Sequence, residues 1–106
     1  MKKQVSKQAV YTYLTRIPRG KVVTYGQIAE ALGNKNLARA VGNILHANPD
    51  GEKYPCYKVV NARGMLSDRY AFGGLEGQKK KLEAEGIAVK KDRVELIRYI
   101  WTRDEI

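Results

Sequence analysis

The chain has one cysteine, Cys56, which lies between a proline and a short β-branched run in the segment Pro55-Cys56-Tyr57-Lys58-Val59-Val60. A thiol at the mouth of a strand can be aimed by the backbone at a bound substrate, and its thiolate is a strong nucleophile. The ordinary pKa of a cysteine is about 8.5, so few thiols are ionised at neutral pH without help. A lone cysteine in a random context is usually a small buried hydrophobe, so the surrounding residues decide its role.

The charge of the chain points to a polyanionic partner. Twenty Lys and Arg residues face eleven Asp and Glu residues, which leaves a net charge of +9. This balance favours nucleic acid over an acidic membrane. One cysteine cannot form an internal disulfide, no apolar stretch is long enough to span a bilayer, and the N-terminus lacks a signal-peptide core. We therefore expect a single domain over residues 1–106, in the cytoplasm, without membrane contact.

Two other arrangements around the thiol are weaker. A Cys-His dyad is conceivable because His46 is the single histidine of the chain. We interpret His46 instead as a residue near the backbone of DNA, on a different surface from Cys56. One cysteine and one histidine are too few for a zinc site, so we predict no metal and no cofactor.

The elements that must position these residues are mostly helices. Val5, Ala9, Tyr13 and Ile17 recur at four-residue steps, which predicts an amphipathic first helix. Further helices are predicted over Tyr25–Leu32 with a Thr24/Gln27 capping box, over Leu37–His46 with Asn36 as its cap, and over Gln78–Glu85. Strands are predicted at Val59–Val60 and in a hairpin that pairs Ile87–Val89 with Val94–Leu96. The fold class is α+β, mostly helical.

The second and third predicted helices have helix-turn-helix proportions. The outer face of the third helix presents one long cation, Arg39, among small or short side chains: Ala38, Ala40, Gly42 and Asn43. Small residues around one arginine suit close approach to the minor groove and insertion at a base step. A reader of the major groove would carry several long polar side chains instead. The alternative is that the alanines merely favour helix and that Arg39 is solvated.

Four motifs in register resemble the C-terminal domain of the O6-alkylguanine-DNA alkyltransferases. They are the block Ile17–Ala29, the run Arg39-Ala40-Val41-Gly42-Asn43, Asn48-Pro49 and Pro55-Cys56, and the closing helix Leu82–Gly86 is also similar. The resemblance implies a winged-helix-like, helix-turn-helix DNA-binding domain. Its implied partner is double-stranded DNA that contains O6-alkylguanine.

The resemblance also implies roles for individual residues. Tyr25 would crowd a phosphate and help to rotate the nucleotide, and Arg39 would fill the vacated stack. Cys56 would accept the alkyl group, Asn48 would order the turn beneath it, and Glu85 would be the buried carboxylate behind the site. The lesion pocket would be formed by Tyr25, Cys56, Val59, Ser67 and Arg69.

The family has two branches, and the chain resembles both. Repair enzymes carry Pro-Cys-His-Arg-Val and transfer the alkyl group to their own cysteine once. Alkyltransferase-like proteins replace the cysteine and bind the lesion without repairing it. Cys56 is similar to the first branch, whereas Ser67, Arg69 and the tail Tyr99-Ile100-Trp101 are similar to the second.

Tyr57 stands where the repair enzymes have a histidine that acts as a base. A phenol with a pKa near 10 is a poor base at neutral pH, although it can donate a hydrogen bond to Glu85. Lys58 and Arg69 are expected to lower the pKa of the thiol. We therefore predict a slow, single-turnover methyltransferase that is a monomer. The alternatives are a lesion sensor that passes DNA to nucleotide excision repair proteins and a plain helix-turn-helix regulator, which leaves the cysteine motif unexplained.

Overall fold

The computed structural model describes residues 6–102 and has the α+β, mostly helical architecture that the sequence predicts. Its helices are Lys7–Arg16 (α1), Tyr25–Ala31 (α2), Ala38–His46 (α3), Gly74–Ala84 (α4) and Leu96–Tyr99 (α5), with 3₁₀ turns at Lys35–Leu37 and Cys56–Lys58. Its strands are Val23–Thr24 (β1), Val59–Val60 (β2), Val89–Lys90 (β3) and Arg93–Val94 (β4). Within residues 6–102, no helix combines the length and the apolar character that crossing a membrane would need.

Helix α1 begins at a side-chain cap, and the face that it buries keeps the predicted Tyr13 but is shifted toward Val10 and Leu14. The Ser6 hydroxyl accepts a hydrogen bond from the Ala9 N–H, and the helix buries Val10, Tyr13 and Leu14. Ile17 is buried too, but it follows the helix with extended backbone. The predicted contribution of Val5 falls outside the described residues. A strict four-residue step drifts around a helix of 3.6 residues per turn, which is why the pattern included Tyr13 but not Val10 and Leu14.

Helix α2 begins at the predicted capping box. The Thr24 N–H donates to Gln27 Oε1 at 2.8 Å, and the Gln27 N–H donates to Thr24 Oγ1 at 3.1 Å. The Gln27 amide then reaches the Trp101 carbonyl at 2.7 Å. This contact ties the start of α2 to the C-terminal segment, because one side chain serves both the cap and the tail.

The predicted cap of α3 is wrong. Asn36 lies inside the 3₁₀ turn, and Asn34 Oδ1 accepts a hydrogen bond from the Asn36 N–H at 2.9 Å. Helix α3 follows that turn and begins at Ala38. Asn34 therefore caps the 3₁₀ turn, and α3, which continues from that turn, has no side-chain cap of its own. The helix buries Val41 and Leu45.

Two short sheets tie the helices together. Strands β1 and β2 are parallel, with Val23 opposite Val59 and Thr24 opposite Val60. Strands β3 and β4 form the predicted hairpin, which is shorter than expected. Helix α4 begins at Gly74 rather than at Gln78, after Gly73 in the left-handed region at φ +116°. Helix α5 was not predicted, because four residues are too few to show periodicity.

The core consists of two adjoining groups of apolar side chains. One lies among α1, α2, α3 and the β1–β2 pair, and it includes Cys56 and Trp101. The other is formed by Val22, Val60, Leu66, Leu82, Ile87 and Val94. The β1–β2 pair contributes to both groups, so it is the seam along which the two halves of the core join.

The first prediction concerns Gly64, which has φ +82° and would place an added Cβ 2.2 Å from the Val94 carbonyl oxygen. Gly86 has φ +81° with nothing within 4 Å of an added Cβ. Gly86→Ala should therefore cost only left-handed strain, about 1–2 kcal/mol. Gly64→Ala adds a backbone clash and should lower the free energy of unfolding by at least about 2 kcal/mol more. Urea unfolding of both variants measures this, and equal losses would contradict the close approach.

Candidate functional site

A cavity of about 320 Å³ lies between α2, α3 and the turn that carries Cys56. It brings together all five residues of the predicted pocket and five of the six predicted DNA-binding residues, with Tyr25 in both sets. Its lining is Tyr25, Ala38, Arg39, Gly42, Asn43, Leu45, His46, Cys56, Val59, Ser67, Arg69, Tyr70, Ala71 and Gln78. Ala40, Asn48, Tyr57 and Glu85 do not line it.

The α3 side of the cavity combines exposed polar side chains with a close helix contact. Arg39 and Asn43 are exposed and lie one turn apart on α3. A Cβ at Gly42 would lie 3.9 Å from the Tyr25 ring, in ordinary van der Waals contact. Burial raises the pKa of Tyr25, and a hydrogen bond with Ser67 offsets this only in part. Tyr25 therefore keeps its proton at neutral pH and can act as a donor.

Cys56 begins the 3₁₀ turn and is 5% exposed. The buried Asn48 holds this turn, since its amide donates to the Tyr54 carbonyl at 2.8 Å and its Oδ1 accepts from the Asp50 N–H at 3.0 Å. The Cys56 N–H donates to the same Tyr54 carbonyl at 2.7 Å. Burial raises the pKa of the Cys56 thiol, and a hydrogen bond with Asn48 offsets only part of that rise. The thiol is therefore held in place and largely protonated at neutral pH.

The prediction that Lys58 and Arg69 lower the thiol pKa is wrong. Neither cation contributes to the shift, whose direction is set by burial. Lys58 is buried and turned elsewhere: its Nζ lies 3.1 Å from Glu85 Oε1 and donates to the carbonyls of Ile17 at 3.1 Å and Pro18 at 3.3 Å. The Lys58 ammonium therefore stabilises the fold and does not interact with the thiol.

Glu85 receives hydrogen bonds from three parts of the chain. The Tyr57 hydroxyl donates to Oε2, as expected, while Oε1 accepts from the Gly20 N–H at 3.0 Å and from Lys58. Burial alone would raise the pKa of Glu85, but these three donors together lower it. Burial and the neighbouring Glu85 carboxylate raise the pKa of Tyr57. Tyr57 is therefore fixed as a protonated donor and cannot serve as a base at neutral pH.

The structure places His46 in the cavity of Cys56, so its expected position on a different surface is wrong. His46 Nδ1 lies 2.7 Å from the Arg69 carbonyl oxygen. Because a carbonyl can only accept, Nδ1 carries the proton in this hydrogen bond. The contact joins the end of α3 to the loop that contains Arg69. The two residues are far apart along the chain, so no local sequence pattern predicts that they meet.

Gln78 is a site residue that the sequence reasoning passed over. Its side chain is buried, with Oε1 accepting from the Ser67 N–H at 2.8 Å and Nε2 donating to the carbonyls of Tyr57 and Val59, both at 3.0 Å. It therefore links α4 to two walls of the cavity. A signal was present, since Leu75, Gln78 and Leu82 share one face of a helix at spacings of three and four residues.

Tyr70 is the second residue that was missed. It is 9% exposed, its ring packs edge-on against Phe72, and its buried hydroxyl has no hydrogen-bond partner within residues 6–102. Burial raises the pKa of Tyr70 to about 12, so the hydroxyl keeps its proton. Tyr70 lines the cavity, so the lining includes a residue whose hydroxyl donor has no partner within residues 6–102.

Comparison with known proteins shows which family the chain matches. Residues 6–87 match the family model of the 6-O-methylguanine DNA methyltransferase, DNA binding domain. A DNA base-flipping protein of Vibrio parahaemolyticus is 41% identical over 93 residues, which covers 87% of this chain and 91% of the relative. The Schizosaccharomyces pombe Atl1 structure, in complex with damaged DNA containing O6-carboxymethylguanine, is 35% identical with a TM-score of 0.80, covering 91% of this chain and 94% of that chain. The Mycobacterium tuberculosis OGT structure in complex with DNA is 35% identical with a TM-score of 0.69, covering 76% of this chain and 48% of that chain.

The second prediction compares two tyrosine hydroxyls with opposite surroundings. Tyr57→Phe removes a donor to the charged Glu85 and should destabilise the protein by about 1.5–3 kcal/mol. Tyr70→Phe removes a buried hydroxyl that lacks a partner, so it should be neutral or stabilising by up to about 3 kcal/mol. Chemical denaturation of the two variants, each with the same atom deleted, makes the comparison. A destabilised Tyr70→Phe would mean that the hydroxyl is paired in solution.

Proposed function

The chain belongs to the family of the 6-O-methylguanine DNA methyltransferase DNA-binding domain, and we propose that it binds duplex DNA through α3 and turns an O6-alkylated guanine into the cavity beside Cys56. The observation that carries the proposal is the shared cavity of Arg39, Tyr25 and Cys56. Base extrusion needs a side chain that enters the groove and a pocket that receives the base. Arg39 would enter the groove, and Tyr25 and Cys56 line the pocket.

The surface of α3 supports approach to the minor groove. Arg39 projects between Ala38 and Ala40, and Gly42, which has no side chain, packs beside the Tyr25 ring. Small side chains let the helix come close to the duplex while Arg39 occupies the space that an extruded base leaves. The net charge of +9 supplies the long-range attraction to phosphate. The base-flipping relative from Vibrio and the DNA complex of Atl1 support the same mode.

The cavity supplies hydrogen-bond donors to a guanine base. Guanine presents two acceptors, O6 and N7, on its major-groove edge. Tyr25 and Tyr70 are both protonated at neutral pH, and Arg69 adds a cation to the same lining. In this proposal an acceptor of the base pairs with the Tyr70 hydroxyl, while the alkyl substituent lies against the apolar walls of Val59 and Leu45. The volume of about 320 Å³ is in the range of small-molecule sites.

Recognition and retention of the damaged base is the function that the geometry supports best. The thiol of Cys56 is buried with a raised pKa, and Tyr57, whose own pKa is raised, is tied to Glu85 as a donor. Tyr57 therefore cannot act as a general base for the thiol. A protein that holds the lesion in this way would be a monomer in the cytoplasm that passes the bound DNA to nucleotide excision repair proteins.

Slow alkyl transfer is the second candidate, because Cys56 lines the cavity. The thiolate would attack the alkyl carbon, the S–C bond would form as the C–O6 bond breaks, and O6 would leave as part of the guanine. The protein would be consumed in one turnover. The family includes methylated-DNA–protein-cysteine methyltransferases as well as base-flipping proteins, so both outcomes have precedent.

The third prediction tests extrusion of the base. Arg39→Ala should weaken binding to an O6-methylguanine duplex at least about tenfold more than binding to plain duplex, because extrusion costs a few kcal/mol and the inserted guanidinium recovers part of it. Tyr25→Ala should lower the fluorescence of a 2-aminopurine beside the lesion. Lys80→Ala removes an exposed cation of α4 that does not line the cavity, so it should weaken both duplexes alike. Equal losses for Arg39→Ala on the two duplexes would contradict the proposal.

The fourth prediction separates transfer from recognition by intact-mass measurement after incubation with O6-methylguanine duplex. If Cys56 reacts, one methyl group is added, and the rate should rise steadily with pH between pH 7 and 9, because burial raises the pKa of the thiol and the thiolate fraction grows as the pH approaches that pKa. Tyr57→His should speed transfer at pH 7 by supplying a group that titrates near neutrality. Cys56→Ala should abolish the added mass and keep lesion binding. Tight lesion binding with no added mass at raised pH would reject alkyl transfer and support recognition without reaction.

A further inference from the structure

A second concave surface lies away from the cavity and is formed by the C-terminal part of the described chain. This groove has a volume of about 850 Å³ and is lined by the 62–65 turn, the β3–β4 hairpin and α5. None of its lining residues also lines the cavity of Cys56. A molecule in the groove and a base in the cavity would therefore contact different side chains.

The groove is held open by contacts between its three segments. The Val94 N–H donates to the Gly64 carbonyl at 2.8 Å, and Arg93 Nε donates to the Arg63 carbonyl at 3.0 Å. On the other side, the Tyr99 hydroxyl accepts from the Ala88 N–H at 3.2 Å. Because these contacts exist without a ligand, a partner would not have to order the walls of the groove.

The groove carries a marked excess of positive charge. Five cations line it, and one carboxylate, Glu95, accompanies them. Within residues 6–102, none of the five forms an ion pair with a carboxylate. The cations are Arg63, Lys90, Lys91, Arg93 and Arg98, all of them exposed.

The same groove contains the most exposed large apolar side chain of the described residues. Ile97 is 95% exposed and Met65 is 36% exposed, and both line the groove together with Leu96 and Tyr99. Covering Ile97 with another molecule would remove its apolar surface from water, which is favourable. Apolar contacts surrounded by charged groups are the usual anatomy of a protein interface, with a dry centre and a polar rim.

We propose that this groove binds an acidic segment of a partner protein, with apolar side chains of the segment covering Ile97 and carboxylates pairing with the surrounding cations. Duplex DNA would satisfy the cations, but its outer surface is phosphate and sugar and protein–DNA interfaces are more polar than protein–protein ones, so an apolar segment of a protein covers Ile97 better. The proposal does not depend on what the cavity binds. It gives the protein a means of holding a partner while α3 is engaged with DNA.

Fluorescence anisotropy with a labelled synthetic peptide that carries Leu and Phe among Asp and Glu residues tests the proposal. Ile97→Ser should weaken binding about tenfold, which is the order expected for one covered large apolar side chain. A peptide of the same charge with Ser in place of Leu and Phe should bind the parent protein about tenfold more weakly and should be insensitive to Ile97→Ser. Because Ile97 is 95% exposed, its replacement leaves the core intact.

Matched charge variants and DNA provide the controls. Arg98→Ser should weaken binding of the peptide by severalfold more than Lys80→Ser, which removes the same charge from α4 outside the groove. Saturating plain duplex should leave the peptide bound. Displacement of the peptide by duplex would assign the groove to nucleic acid and overturn the proposal. Absence of peptide binding, or equal binding of the two peptides to both the parent protein and Ile97→Ser, would overturn it as well.

Discussion

The position of the thiol depends on one buried ion pair, Lys58–Glu85. The two side chains are 6% and 8% exposed, and their charged atoms lie 3.1 Å apart. Removing two charges from water costs several kcal/mol each, which only close pairing and further hydrogen bonds can offset. Lys58 donates to the carbonyls of Ile17 and Pro18, which follow α1. Glu85 accepts from the Gly20 N–H and the Tyr57 hydroxyl. The pair thereby joins the α1–β1 loop and the end of α4 to the turn that begins at Cys56.

The same contacts limit the chemistry of the site. Three donors hold the pKa of Glu85 below its ordinary value, so the carboxylate is charged at neutral pH and contributes stability that is lost only as acid protonates it. Tyr57 is one of those donors, and the neighbouring charge raises its own pKa. A side chain that must keep its proton to stabilise the fold cannot also remove one from a thiol. Structural demand at position 57 therefore opposes base catalysis there.

Local signals in the sequence predicted what local chemistry determines. The Thr24/Gln27 capping box forms where the pattern placed it, and the β3–β4 hairpin forms at the predicted turn with shorter strands, because neighbours along the chain make their hydrogen bonds. The start of α4 was missed, since Gly73 and Gly74 look like a stop and their positive φ angles in fact lead into the helix. The contact of His46 with the Arg69 carbonyl joins distant parts of the chain. The raised pKa of Cys56 is equally invisible, because burial sets it and burial is a property of the folded chain.

The family resemblance predicted five lining residues of the cavity but not its two most informative polar groups. Gln78, like the buried Asn48 and Lys58, satisfies its polar atoms inside the protein. The Tyr70 hydroxyl does not, and leaving a buried donor unpaired costs about 1–3 kcal/mol. In the proposed function, a base whose acceptor reaches Tyr70 removes that cost, and a base without one leaves it in place. Retention of a base by this contact requires no reaction at Cys56, so binding of a base and slow chemistry at the thiol are compatible in one cavity.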